Sequence, residues 1–205
     1  MITKAQSKRY SRRPPLEKKP RLSALEKGLL RWTMAERGDK VLDAYVVGSG
    51  LMLEYLQRNM ECEICGVSDD MGSVRQARSR LRNADIVYAS REDIPWRENT
   101  FDSVYLKMIT APLSETAMRE ILRVLKPGGQ VLVGFQTIPA PFRQIAAIFR
   151  PETDDELHRP KARGQLFSMM KNLGLTQLTW QRTDLLHGVG IAWKALDAAE
   201  TEKAQ

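Results

Sequence analysis

The residues able to do chemistry gather behind short apolar runs. Val41-Leu42-Asp43-Ala44-Tyr45-Val46-Val47 leads into Gly48-Ser49-Gly50. Glycines at a strand-to-helix turn let the backbone approach a ligand closely and leave helix-start amides facing it, which suits a nucleoside-bearing cofactor. Position 53 is Leu53 rather than the third glycine of a dinucleotide fingerprint, which disfavours nicotinamide or flavin. The next strand should end in an acid that bonds ribose hydroxyls. It closes instead on Gly66-Val67-Ser68, with Asp69 and Asp70 just beyond. A serine hydroxyl lacks the charge-assisted strength of a carboxylate, and Asp69 serves only if the turn is reset by one residue.

Other reactive side chains have plainer readings. Cys62 and Cys65 are spaced like a redox or zinc pair. On a strand, however, positions three apart face opposite ways, so the two are expected as separate core residues. His158 and His187 are the two histidines, and neither has a partner at metal-ligand spacing. Each is read as a general-base candidate or as a solvated loop residue. Met169 and Met170 lie at core spacing on a helix, and the acidic run Glu152 to Glu156 reads as a solvated loop.

The elements that hold these residues alternate. Ser23 and Glu26 have capping-box spacing, and Leu25, Leu29, Leu30 and Trp32 give a helical apolar face running to Arg37-Gly38. Strands are expected over 41–47, 62–67, 86–89, 101–106 and 131–135, with helices starting near Leu51, Val74 and Ser114. Lys126-Pro127-Gly128-Gly129 is expected to stop the last of these helices. Beyond a proline-broken stretch with a helical patch (Phe142, Ile145, Ala146, Phe149), a helix carrying Leu166, Phe167, Met170 and Leu173 precedes two strands, 175–181 and 189–196. Strands separated by helices need crossover connections, so the sheet is expected to be mainly parallel and covered on both faces. The fold class is α/β: a doubly wound, seven-stranded sheet with its last strand antiparallel.

Length and composition agree. A chain of 205 residues, 42% apolar and 28% charged, can bury a full core without disulfides or structural metal. No apolar run is long enough to span a bilayer, and two cysteines fit a reducing, cytoplasmic setting. The net charge of +7 is mostly a tail: residues 1–20 carry +6 of it. Residues 1–21 are therefore read as a basic, flexible arm, the one place where nucleic acid would be contacted. The fold proper is expected over 22–197, with an insertion or lid at 139–162 and a polar tail at 198–205.

From Gly38 to Gly134 the sequence resembles the class I S-adenosylmethionine-dependent methyltransferases, type 11 group. The resemblance rests on Gly38-Asp39-Lys40-Val41-Leu42-Asp43, Glu92-Asp93-Ile94-Pro95-Trp96, Asn99-Thr100-Phe101-Asp102, and Glu120-Ile121-Leu122-Arg123-Val124-Leu125-Lys126-Pro127-Gly128-Gly129. It implies S-adenosylmethionine lying over Asp43, Tyr45, Gly48, Ser49 and Gly50, with its ribose near Ser68 and Asp69. Its adenine would lie among Ser90, Arg91 and Glu92, beside Trp96 or with Trp96 packed on the sheet edge instead. Lys107 falls where family members face the transferred methyl, either orienting an anionic acceptor or pointing to solvent. The sequence departs from the family at three places: Tyr45 and Val47 stand at the first two glycine positions of the leading motif, Ser68 at the ribose acid, and Ser90 at the adenine acid. Tyr45 would crowd the methionine end unless the loop bulges outward.

Two functions follow. One is methyl transfer from S-adenosylmethionine to a small-molecule acceptor, which needs alignment and water exclusion rather than a triad or metal. The other is a catalytically silent module of the same fold, whose basic arm contacts RNA or an acidic partner.

Overall fold

The computed structural model describes residues 21–108, 113–136, 160–184 and 187–196. Its elements are α1 (Ala24–Trp32), β1 (Lys40–Asp43), α2 (Leu51–Met60), β2 (Glu63–Ser68), α3 (Met71–Arg80), β3 (Asp85–Tyr88) and β4 (Phe101–Met108). They continue with α4 (Glu115–Val124), β5 (Leu125–Gln136), α5 (Pro160–Asn172), β6 (Leu175–Arg182) and β7 (His187–Lys194). The strands form one sheet in the order β3-β2-β1-β4-β5-β7-β6. Neighbours from β3 to β5 run parallel, and β7 runs antiparallel to both β5 and β6. The expected fold class is therefore the one observed.

Strand alternation divides the core into two layers. Val41, Tyr105, Leu132 and Val189 face one way, under Leu29 of α1, Met52, Leu53 and Leu56 of α2, and Val74 and Ala77 of α3. Leu42, Val104, Val131, Val133 and Ala192 face the other, under Ala117, Met118, Ile121 and Val124 of α4 and Leu166 and Met170 of α5. The order reverses between β1 and β4, so the tips of these two strands open the crevice where open parallel sheets bind ligands.

Three boundaries differ most from the sequence reading. The first helix stops at Trp32, not near Gly38, because Thr33 turns extended and hydrogen-bonds the Tyr105 hydroxyl. The Gln130 side chain then accepts from the Met34 N–H (3.0 Å) and donates to the Trp32 carbonyl (3.2 Å), latching the helix end to the sheet. β1 ends at Asp43, although the Ala44 and Val46 amides still donate to Tyr105 and Val67 carbonyls (both 2.8 Å). The Lys126-Pro127-Gly128-Gly129 turn lies inside β5, which starts at Leu125, and the β4–β5 register shifts between Phe101 and Ser103 to absorb it. The helical patch at 142–149 and the acidic run at 152–156 lie outside the described residues.

Candidate functional site

At the crevice, Asp43 closes β1 and Lys107 lies near the end of β4. Asp43 pairs in register with Tyr105, and both Asp43 and Lys107 point to the face covered by α1. The Lys107 Nζ sits 2.8 Å from Asp43 Oδ2 and 4.0 Å from Glu26 Oε1, with Lys107 only 3% exposed and Asp43 fully buried. Lys107 thus does not point to solvent. The Asp43 contact is an ion pair without hydrogen-bond direction, since Oδ2 has no hydrogen-bond partner, whereas Oδ1 accepts from the Tyr45 N–H (3.1 Å). Glu26 reaches this point because α1 starts there: its Oε2 accepts from the Ser23 N–H and hydroxyl (2.8 and 2.9 Å), completing the expected capping box.

The turn after β1 is held from below. Val46 is fully buried, and a Cβ added at Gly66 would lie 2.5 Å from its Cγ2, so only glycine fits there. Gly48 and Gly50 take left-handed conformations (φ 66° and 67°). A Cβ on Gly48 would meet nothing within 4 Å, so the space above the turn is open. Gly50 caps α2 with no side-chain hydrogen bond, leaving first-turn amides without that partner, and Ser49 is half-buried between the two glycines. The Gly48 N–H donates to Ser73 Oγ (3.0 Å), which donates to Asp70 Oδ2 (2.6 Å).

At the tip of β2, Ser68 is buried and its Oγ accepts from the Asp70 N–H (3.2 Å). Asp70 caps α3, and the Ser73 hydroxyl, helped by the Ser73 and Gly72 amides, holds its carboxyl below the usual carboxylate range. Asp69 is exposed between them. Sequence reasoning missed Ser73 and Asp70 as the anchors of the glycine turn, because a serine inside a helix carries no motif. It also found Glu26 only as a cap, without its place beside Lys107.

Beyond β3, Ser90 Oγ accepts from the Glu92 N–H (3.1 Å), and Glu92 Oε1 accepts from the Ser114 hydroxyl (2.5 Å). The Arg91 guanidinium lies over the Tyr45 ring at 5.3 Å from its centroid, a cation–π contact that brings the third-strand loop to the glycine turn. Tyr45 is half-buried against the core layer of Leu42 and Val104. Trp96 packs edge-on against Phe101 (centroids 5.4 Å apart), and the Arg123 guanidinium donates to the Ile94 and Trp96 carbonyls (2.8 and 2.7 Å). The segment preserved by the resemblance is thus locked to α4, and Trp96 packs on the core.

Cys62 and Cys65 are both buried free thiols in opposite core layers, as their spacing implies. Burial pushes the Cys62 thiol up to about 11 and the Cys65 thiol up to about 12. His187 Nδ1 lies 2.9 Å from the Asp184 carboxylate at the start of β7, and His158 lies outside the described residues. Among the described residues no cluster could hold a metal, and no helix is long and apolar enough to cross a membrane.

Residues 45–133, less than half of the chain, fit the model of the type 11 methyltransferase domain. This segment is similar to the class I S-adenosylmethionine-dependent methyltransferases. The ubiquinone/menaquinone biosynthesis C-methyltransferase UbiE of Idiomarina loihiensis is 34% identical over 107 residues, covering 47% of this chain and 42% of that protein. UbiE of Cronobacter sakazakii is 33% identical over 109 residues, with the same two shares. The chain therefore matches less than half the length of these methyltransferases. A methyltransferase of Aquifex aeolicus shares the fold at a TM-score of 0.63 and 17% identity, over 82% of this chain and 88% of that one. The geranyl diphosphate C-methyltransferase of Streptomyces coelicolor does so at 0.63 and 16%, over 84% and 79%.

Proposed function

We propose that the chain transfers the methyl group of S-adenosylmethionine to a small-molecule acceptor. The observation that carries this is the β1 tip: buried Asp43 beneath a glycine turn that is open above Gly48 and leads into an α2 start without a side-chain cap. The donor set fits the cofactor. Asp43 Oδ2 is buried beside Lys107 without a hydrogen-bond partner, the α2 amides suit a carboxylate, and the buried Ser68 hydroxyl, at the tip of β2, is assigned to the ribose. The cofactor supplies an activated methyl on a sulfonium that already carries its leaving group. The chain's own residues then orient and shield: Tyr45 and Arg91 form an aromatic-cationic wall, while Ser90 and Glu92 order the loop that flanks the adenine position. The named activity of the UbiE relatives supports a carbon acceptor. The insertion expected at 139–162 lies almost wholly outside the described residues.

A second reading keeps the fold without the reaction, with the basic arm contacting RNA or an acidic partner. It is favoured by the Tyr45 ring standing under Arg91 at a glycine position of the family motif. Isothermal titration with S-adenosylmethionine and S-adenosylhomocysteine separates the two. Saturable heat is expected, and no heat at millimolar ligand leaves only the silent module.

A further inference from the structure

We propose that Lys107 is a movable counter-ion, resting on Asp43 and passing to Glu26 when the ammonium of a bound amino-acid moiety takes its place. This rests on the function proposed above and deepens it, because it states how the amino-acid end of the cofactor is recognised.

Asp43 is fully buried, yet its Oδ2 accepts no directed hydrogen bond; the Lys107 ammonium is near it at 2.8 Å but badly angled. A carboxylate oxygen in that condition gains from a better-aimed donor. With Lys107 fixed, an arriving ammonium would meet another ammonium, and like charges in a buried site repel strongly. The second carboxylate removes the conflict. Glu26 Oε2 is engaged by Ser23, whereas Oε1 faces Lys107 at 4.0 Å. A swing of about 1.2 Å, well within the freedom of a four-carbon stem, brings Nζ from there into ion-pair contact. The lysine then stays paired at both stations, so no uncompensated charge is left buried. Glu26 is held in place by the α1 capping box, and the far end of α1 is latched to the sheet through Gln130 and Thr33. The receiving carboxylate is therefore fixed before any ligand arrives.

The test uses the full chain and two probes with the same nucleoside. S-adenosylhomocysteine carries the amino-acid ammonium, and 5′-methylthioadenosine does not. Glu26→Gln keeps a capping-box residue while deleting the receiving charge, and an unchanged thermal melt verifies its fold. We expect S-adenosylhomocysteine to bind about tenfold more weakly to the variant and 5′-methylthioadenosine to bind unchanged. Equal effects on both probes, or no effect on either, overturn the counter-ion role while leaving the methyltransferase reading standing. Lys107→Met, which clears Asp43, is expected to shift the ratio toward S-adenosylhomocysteine; a selective loss of that ligand overturns the proposal. A wild-type chain that binds neither probe overturns both the proposal and the function beneath it.

Discussion

Lys107 Nζ and Asp43 Oδ2 lie 2.8 Å apart, with both side chains buried. Breaking such a pair from one side leaves the other charge buried and alone, at a cost of about 3–5 kcal/mol. Lys107→Met is therefore expected to lower unfolding stability by about that amount in urea titration. The double variant Lys107→Met/Asp43→Asn should recover most of it, since neither side chain then carries a charge.

Gly66 leaves no room for a side chain beneath the glycine turn. Gly66→Ala places a methyl 2.5 Å from Val46 Cγ2 and is expected to destabilise by about 1–3 kcal/mol. Adding Val46→Ala should relieve the overlap with Val46. A thermal-melt comparison of the three variants checks this, and it fails if the single substitution is neutral.

The thiols give a pH signature. The folded state holds Cys62 and Cys65 protonated up to about 11 and 12, above the usual value of 9.0. Their contribution to stability is thus full below pH 9 and is lost as pH rises through those values. Iodoacetamide at pH 8 should label neither cysteine in the native chain and both in denaturant.

The charge of the fold proper is near zero, because residues 1–20 hold +6 of +7. A chain starting at residue 21 is expected to show no salt-dependent retention of RNA in a filter assay. Any retention by the full chain should weaken steeply between 50 and 200 mM salt.

As Asp70 does, Glu120 and Arg123 contribute on the acid side. Its hydrogen bond with Arg123 holds the Glu120 carboxyl below its usual range, so the pair's contribution is present at neutral pH and fades as pH falls below that range. Arg123→Ala should flatten this part of the acid-stability curve and free the Ile94 and Trp96 carbonyls.

Most of the sheet was legible because parallel strands buried on both faces read as apolar runs between helices, and the Ser23–Glu26 and Ser114 caps marked helix starts. The end of α1 was not legible, because Thr33 meets Tyr105, and Gln130 meets Trp32 and Met34, only once the sheet has formed. The same holds for the site. Asp43, Gly48, Gly50 and Ser68 could be placed from their position at strand ends. The pairing of Lys107 with Asp43 and Glu26, and the Ser73 support beneath Gly48, depend on which helix lies over which strand. Arg91 over Tyr45 joins two loops that no local pattern connects.

Residue 21 leads into α1 beside Glu26, whereas β7 ends with Lys194 bonded to the Leu122 and Leu125 carbonyls, at the opposite rim of the sheet. An affinity handle or fluorophore fused ahead of residue 21 would hang near the crevice at the tips of β1 and β4 and interfere with titration there. The same label placed after residue 196 would sit one sheet-length away and leave that entrance clear.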